Sequence, residues 1–124
     1  MSNRPYDFAE ARQAVSRAAK AQLGAEKDRA EAVEVYAGAE RDYRVSLSVR
    51  IVALHNSGVA WSVAADVARG EAEVAELRRL RDIAYGMLAV AENRSFRTGA
   101  DRRSVDQLVT WSMKRELSDP GVGG

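Results

Sequence analysis

Apolar residues return every three or four positions along most of this 124-residue chain, the period of an α-helical face. Near the start, Phe8, Ala11, Val15, Ala18, Ala19 and Gln22 fall along one helical side with Asp7 placed to cap it, which predicts a helix from Tyr6 to about Leu23. Gly24 either ends that helix or sits inside a longer one. From Ala25 to Asn56 the stripe Val33, Tyr36, Glu40, Tyr43, Leu47, Ile51 and Leu54 again steps by threes and fours. A second pattern competes there. Val45, Leu47, Val49 and Ile51 alternate with Ser46, Ser48 and Arg50, and Val59, Trp61, Val63, Ala65 and Val67 alternate beyond Asn56-Ser57-Gly58, as two strands of a hairpin would. Flanks rich in Ala, Glu and Arg favour the helix, and a lone hairpin is only marginally stable in water. On the helical reading the chain reverses at Asn56-Ser57-Gly58, with Gly58 near a C′ position.

The segment from about Trp61 to Asn93 carries two adjacent stripes. Val67, Val74, Leu77, Ala84, Leu88 and Ala91 form one, and Leu80, Ile83, Met87 and Val90 form the other. Together they make a face wider than one partner helix needs, which points to self-association through Leu77, Leu80, Ile83, Met87 and Val90. Gly70 and Gly86 read as local bends or close helix contacts. The stretch NRSFRTGADRR then reads as a basic, Gly-containing link. A shorter last helix from about Ala100 to Glu116 follows, with Val105, Leu108, Val109, Ser112 and Met113 on one side. The expected fold is all-α: a long antiparallel helical hairpin with a shorter C-terminal helix, assembling as a homo-oligomeric bundle or ring. One helical domain spans 1–117, and a Pro/Gly-rich tail at 118–124 is expected to be disordered.

Composition sharpens that picture. Of 57 hydrophobic residues 22 are Ala, and Leu, Ile, Val and Phe total only 26, so a large solitary core is not expected. Zero Cys excludes a disulfide framework, a zinc ribbon and thiol catalysis. The start lacks a signal-like apolar region and no run of 18 apolar residues occurs, which predicts a cytoplasmic protein. No Walker-type or G-x-G-x-x-G loop is present, and the single His55, beside a turn, complements a helix C-terminus, so neither an enzyme nor a cofactor is expected.

The net charge of +1 conceals an uneven distribution. Residues 58–77 hold one basic and four acidic groups, whereas 78–124 hold nine and six. Arg94, Arg97, Arg102 and Arg103 flank Phe96, and Lys114 and Arg115 follow Trp111. Cations interleaved with an aromatic suit sequence-tolerant single-stranded DNA binding, since phosphates need charge and unstacked bases need a flat apolar surface. In the plainer alternative, Arg78, Arg79 and Arg81 pair with Glu73, Glu76 and Asp82, while Phe96 and Trp111 close the core.

AERDYRVSLSVRIVAL in a long helix, VAELRRLRDIAYGMLAVAENRSF in a second, and a short final helix after a basic link resemble phage recombination-mediator proteins of the UvsY type, over roughly Ala25 to Met113. The positions that carry the resemblance are chiefly Tyr43, the Arg78 to Asp82 run and Ser95-Phe96. The resemblance implies an all-helical homo-oligomeric ring in a bacterial host cell that binds single-stranded DNA and assists a recombinase or annealing protein. Two further readings come from the residues. One is a phage helical adaptor or inhibitor that binds a host protein through Leu80, Ile83, Met87 and Val90; the other is a structural coiled-coil assembly component.

Overall fold

In a computed structural model the chain is described over residues 7–118, with side chains through Arg115. The described residues form three helices and no strand: α1 Phe8–Asn56, α2 Trp61–Gly70 and α3 Ala72–Ser118. All but Ser118 of the expected tail lies outside the described residues.

The ends of α1 follow from its sequence. The Glu10 backbone N–H donates to the Asp7 carboxylate at 2.8 Å, and the Asp7 N–H donates back to Glu10 Oε2 at 3.2 Å, a reciprocal capping box. At the other end Gly58 adopts φ 106°, its N–H bonds the His55 carbonyl, and the Val59 N–H reaches the Leu54 carbonyl. That bond pair is a Schellman stop, and it needs a left-handed residue that only Gly supplies without strain. The alternating pattern at 45–67 therefore resolves as two helices. It is not a hairpin, because the helical flanks and this stop agree with one another. Gly24 lies within α1.

Three expectations are corrected. The helix expected from Trp61 to Asn93 is not continuous but breaks at Gly70, which is a local bend as read from the sequence; there Glu71 is extended (φ −68°, ψ 140°) and its carboxylate receives the Arg50 Nε at 2.9 and 3.1 Å. The Glu71 carbonyl then accepts the Ala75 N–H as α3 begins. The expected link at 93–103 and the separate short C-terminal helix do not exist, since α3 runs unbroken through both. One Gly at 99, with no Pro, costs a helix only about 1 kcal/mol. The Thr98 hydroxyl folds onto the Arg94 and Ser95 carbonyls, and Arg94 and Arg102 bond Asp28 and Gln22 of α1. Gly86 faces open space, so it is neither a bend nor a close contact.

Contacts divide the chain into two units, one made of residues up to Asp28 and from Glu92 on, the other of Arg29–Ala91. Within each, α1 and α3 are antiparallel. In the first, Gln22 meets Arg102 and Asp28 meets Arg94; its seam holds buried Ala11, Ala25 and Ser112 with half-buried Ala18, Val105 and Val109. In the second, Tyr36 meets Tyr85 and Tyr43 meets Arg81. Its seam is Ala32, Tyr36, Ala39, Tyr43, Ser46 and Arg50 against Val74, Leu77, Arg81, Ala84, Leu88 and Ala91, all buried or half-buried. Both rows of six step by alternating threes and fours, the heptad spacing of an antiparallel coiled coil. Ala and Ser alternate with larger residues such as Tyr36, Tyr43, Leu77 and Leu88 in the second seam, and Val74 is the largest fully buried side chain among the described residues.

Of the stripe expected on α1, Tyr36, Glu40, Tyr43, Leu47, Ile51 and Leu54 are buried or half-buried. Only Val33, 45% exposed, lies outside, and Ala32, Ala39 and Ser46 also turn inward. Small side chains let the two backbones approach closely, so the narrow positions face inward and the larger valine stays outside. No helix among the described residues is long and apolar enough to cross a membrane.

Candidate functional site

The second unit presents an apolar face that the seam does not use. On α3, Leu80, Ile83, Met87 and Val90 are 43%, 47%, 63% and 66% exposed, and each stands one residue before a seam position. Leu77, grouped with them from the sequence, belongs to the seam and is half-buried. On α1, Val35, Val45, Val49 and Val52 are 61%, 56%, 60% and 48% exposed. Val35, Val45 and Val49 also stand one residue before a seam position, and Val52 continues their register three residues on.

In an antiparallel pair the positions just before each seam residue lie on the same side of both helices, because each helix turns about 100° per residue in the same hand. The two stripes therefore form one surface. An open groove of about 600 Å³ bounded by Asp42, Val45 and Val49 of α1 and Glu73 and Leu77 of α3 shows this adjacency directly. The α1 valines were missed in the sequence because Gly38 and Asp42 interrupt their row; reading one position back from a heptad seam would have found them.

The opposite edge of the same seam is polar and aromatic. The Arg81 guanidinium lies 4.5 Å from the Tyr43 ring centroid, pairs with Asp82 at 2.9 Å and reaches Glu40 at 3.6 Å. The Tyr36 and Tyr85 rings meet at 5.5 Å between centroids. The hydrogen bond to Asp82, with the charges of Asp82 and Glu40, holds the Arg81 pKa above its ordinary value. Arg79 bonds Glu76 through two contacts of 2.7 and 2.9 Å, which lowers the Glu76 pKa and raises that of Arg79. Glu76 lies on the solvent surface, so this pair is a weak contributor, present above the usual Glu range and fading as pH falls through the lowered value.

The basic segment is divided by the helix that carries it. Arg94 pairs with Asp28 at 2.7 Å, Arg102 donates to Gln22 at 3.0 Å, and Arg103 lies over Gly99. The Arg115 guanidinium sits 5.3 Å from the Trp111 ring, and Lys114 is likewise engaged. Phe96 is 73% exposed and so does not close a core. Phe96 and Arg103, seven residues apart, share one side of α3, whereas Arg97 and Arg94 point roughly 100° and 200° away from Phe96. The expected site thus falls on several faces. Its residues were grouped on the premise of a flexible link, and the continuous helix separates them.

His55 caps the turn: its Nδ1 lies 3.0 Å from the Val59 carbonyl oxygen, and its ring stacks on Trp61 at 3.6 Å between centroids. Among the described residues no group of three or more His, Cys, Asp or Glu is placed to hold a metal ion. Compared with protein-family models, curated proteins and solved structures, the chain shows no significant match to any of them.

Proposed function

We propose that this protein is a non-catalytic helical interaction protein whose working surface is the apolar face of the Arg29–Ala91 unit. The observation that carries this reading is the pair of aligned stripes, Leu80, Ile83, Met87 and Val90 beside Val35, Val45, Val49 and Val52. With fully extended Val, Leu, Ile and Met exposing about 150–200 Å² each, the exposures of these eight residues sum to roughly 700 Å², above the 300–600 Å² of the largest patch on an ordinary monomer. Exposed apolar faces of that size receive helices.

Oxidative footprinting in the producing cell tests the reading. Met87 is 63% exposed on the chain alone and Met113 46%. A covered face makes Met87 oxidise several-fold more slowly than Met113, whereas an uncovered one leaves Met87 the faster of the two.

Single-stranded DNA binding, and with it a recombination-accessory role, is the second reading, and the exposed Phe96 ring on the same side of α3 as Arg103 favours it. It requires that a fluorescent oligonucleotide bind at low salt. It also requires that Arg97→Ala with Arg103→Ala flatten the salt dependence by roughly 0.7 per lost phosphate contact. On the interaction reading, low-salt binding is weak and the double substitution scarcely changes it.

A further inference from the structure

We infer that the partner on this face is a second copy of the same chain, packed face to face about a two-fold axis through the Arg29–Ala91 unit. The inference rests on the interaction reading and names its occupant. The surface is two helices wide, since both α1 and α3 contribute a stripe, and a single docking helix would cover only the groove between them. Another antiparallel pair covers both stripes at once, which gives the four-helix packing that heptad-spaced faces adopt.

The area agrees. Roughly 700 Å² of apolar side chain, with the polar atoms that border it, matches the ~800 Å² that each partner contributes to a stable interface of standard size. The composition of the patch agrees as well. Leu80, Ile83, Met87 and Val90 form an unbroken apolar row on α3 that Glu76 and Glu73 border at one end, while Asp42 is the one charge within the α1 row. A self-complementary patch is what a two-fold interface requires, because the same residues meet from both sides. The intramolecular seam supplies the complementary reason: its inward positions are already filled by Tyr36, Tyr43, Val74, Leu77 and Leu88 with Ala and Ser between them, so the exposed aliphatic side chains beside it have no place inside the pair.

The chain has no Cys, which gives a clean background for the test. Sedimentation equilibrium on the purified full-length protein across the micromolar range is expected to give twice 13.6 kDa. Ile83→Glu with Met87→Glu is expected to give 13.6 kDa with an unchanged helical circular dichroism spectrum. In parallel, a short bis-maleimide is expected to link copies of an Ile83→Cys variant and not of Ser48→Cys, which lies on the outer side of α1. This arm stands even if the double-Glu variant fails to fold. A wild-type protein that stays at 13.6 kDa, with no linked Ile83→Cys, overturns the second copy as occupant and leaves the interaction reading to the footprint of Met87. A dimer that survives the Glu pair and links through Ser48→Cys overturns both.

Discussion

Replacing Tyr43 by Ala is expected to lower the stability of the protein by about 3–4 kcal/mol, the cost of deleting a large buried aromatic and leaving its cavity behind. Tyr43 is the largest of the buried side chains among the described residues, at 6% exposure, in the seam between α1 and α3. Its ring carries the Arg81 guanidinium at 4.5 Å, and Arg81 in turn reaches Glu40 on α1 and Asp82 on α3. Losing the ring removes the surface that positions Arg81 between the helices, so the effect exceeds the apolar area alone. In thermal unfolding followed by circular dichroism the midpoint should fall by roughly 10–15 °C for a chain of this size. Tyr43→Phe keeps the ring under Arg81 and should stay within about 1 kcal/mol of the wild type. If Tyr43→Ala unfolded within a few degrees of the wild type, the tyrosine would not be a seam residue.

The second large effect concerns the opposite chemical extreme, a position where nothing larger than a methyl group fits. Ala25 is fully buried at 0% exposure, in the unit that also holds Gln22–Arg102 and Asp28–Arg94. Ala25→Leu, a change that raises both hydrophobicity and potential buried area, should destabilise by about 1–3 kcal/mol, because the added carbons wedge apart two closely spaced helices. The same substitution at the exposed Ala21, four residues earlier on α1, should change stability by no more than about 0.5 kcal/mol. Chemical denaturation of the two variants side by side separates the seam from the outer surface. Equal effects would contradict the heptad assignment of α1.

These two sites mark where the sequence was legible and where it was not. The all-helical class, the reversal at Gly58 and the Asp7 cap followed from local signals, a stop glycine and a carboxylate three residues before Glu10, which act without help from the rest of the chain. The two stripes on α3 were legible too, since Leu, Ile, Met and Val mark period plainly. On α1 the inward side was legible through Tyr36, Glu40, Tyr43, Leu47, Ile51 and Leu54. What the pattern missed were Ala32, Ala39 and Ser46, inward positions that scarcely register as apolar. The basic segment failed for a different reason. A stretch with Gly99, Thr98 and four arginines has the composition of a link, but bonds from Arg94 and Arg102 to Asp28 and Gln22, far away in sequence, hold it helical. A helix then fixes which of Arg94, Phe96, Arg97 and Arg103 can act together, and the separation of their faces weakens the nucleic-acid reading that their proximity in sequence suggested.

Photo-crosslinking in the producing cell tests the interaction surface most directly. A photoreactive residue placed at Val45 or Met87, one on each helix of the apolar face, is compared with the same residue at Ser48 or Gly86, both exposed and outside that face. Val45 and Met87 are expected to give protein adducts of a mass that identifies a second copy of the chain, and Ser48 and Gly86 little. Adducts to nucleic acid from the face, or equal yields at all four positions, would contradict a protein-binding role for it.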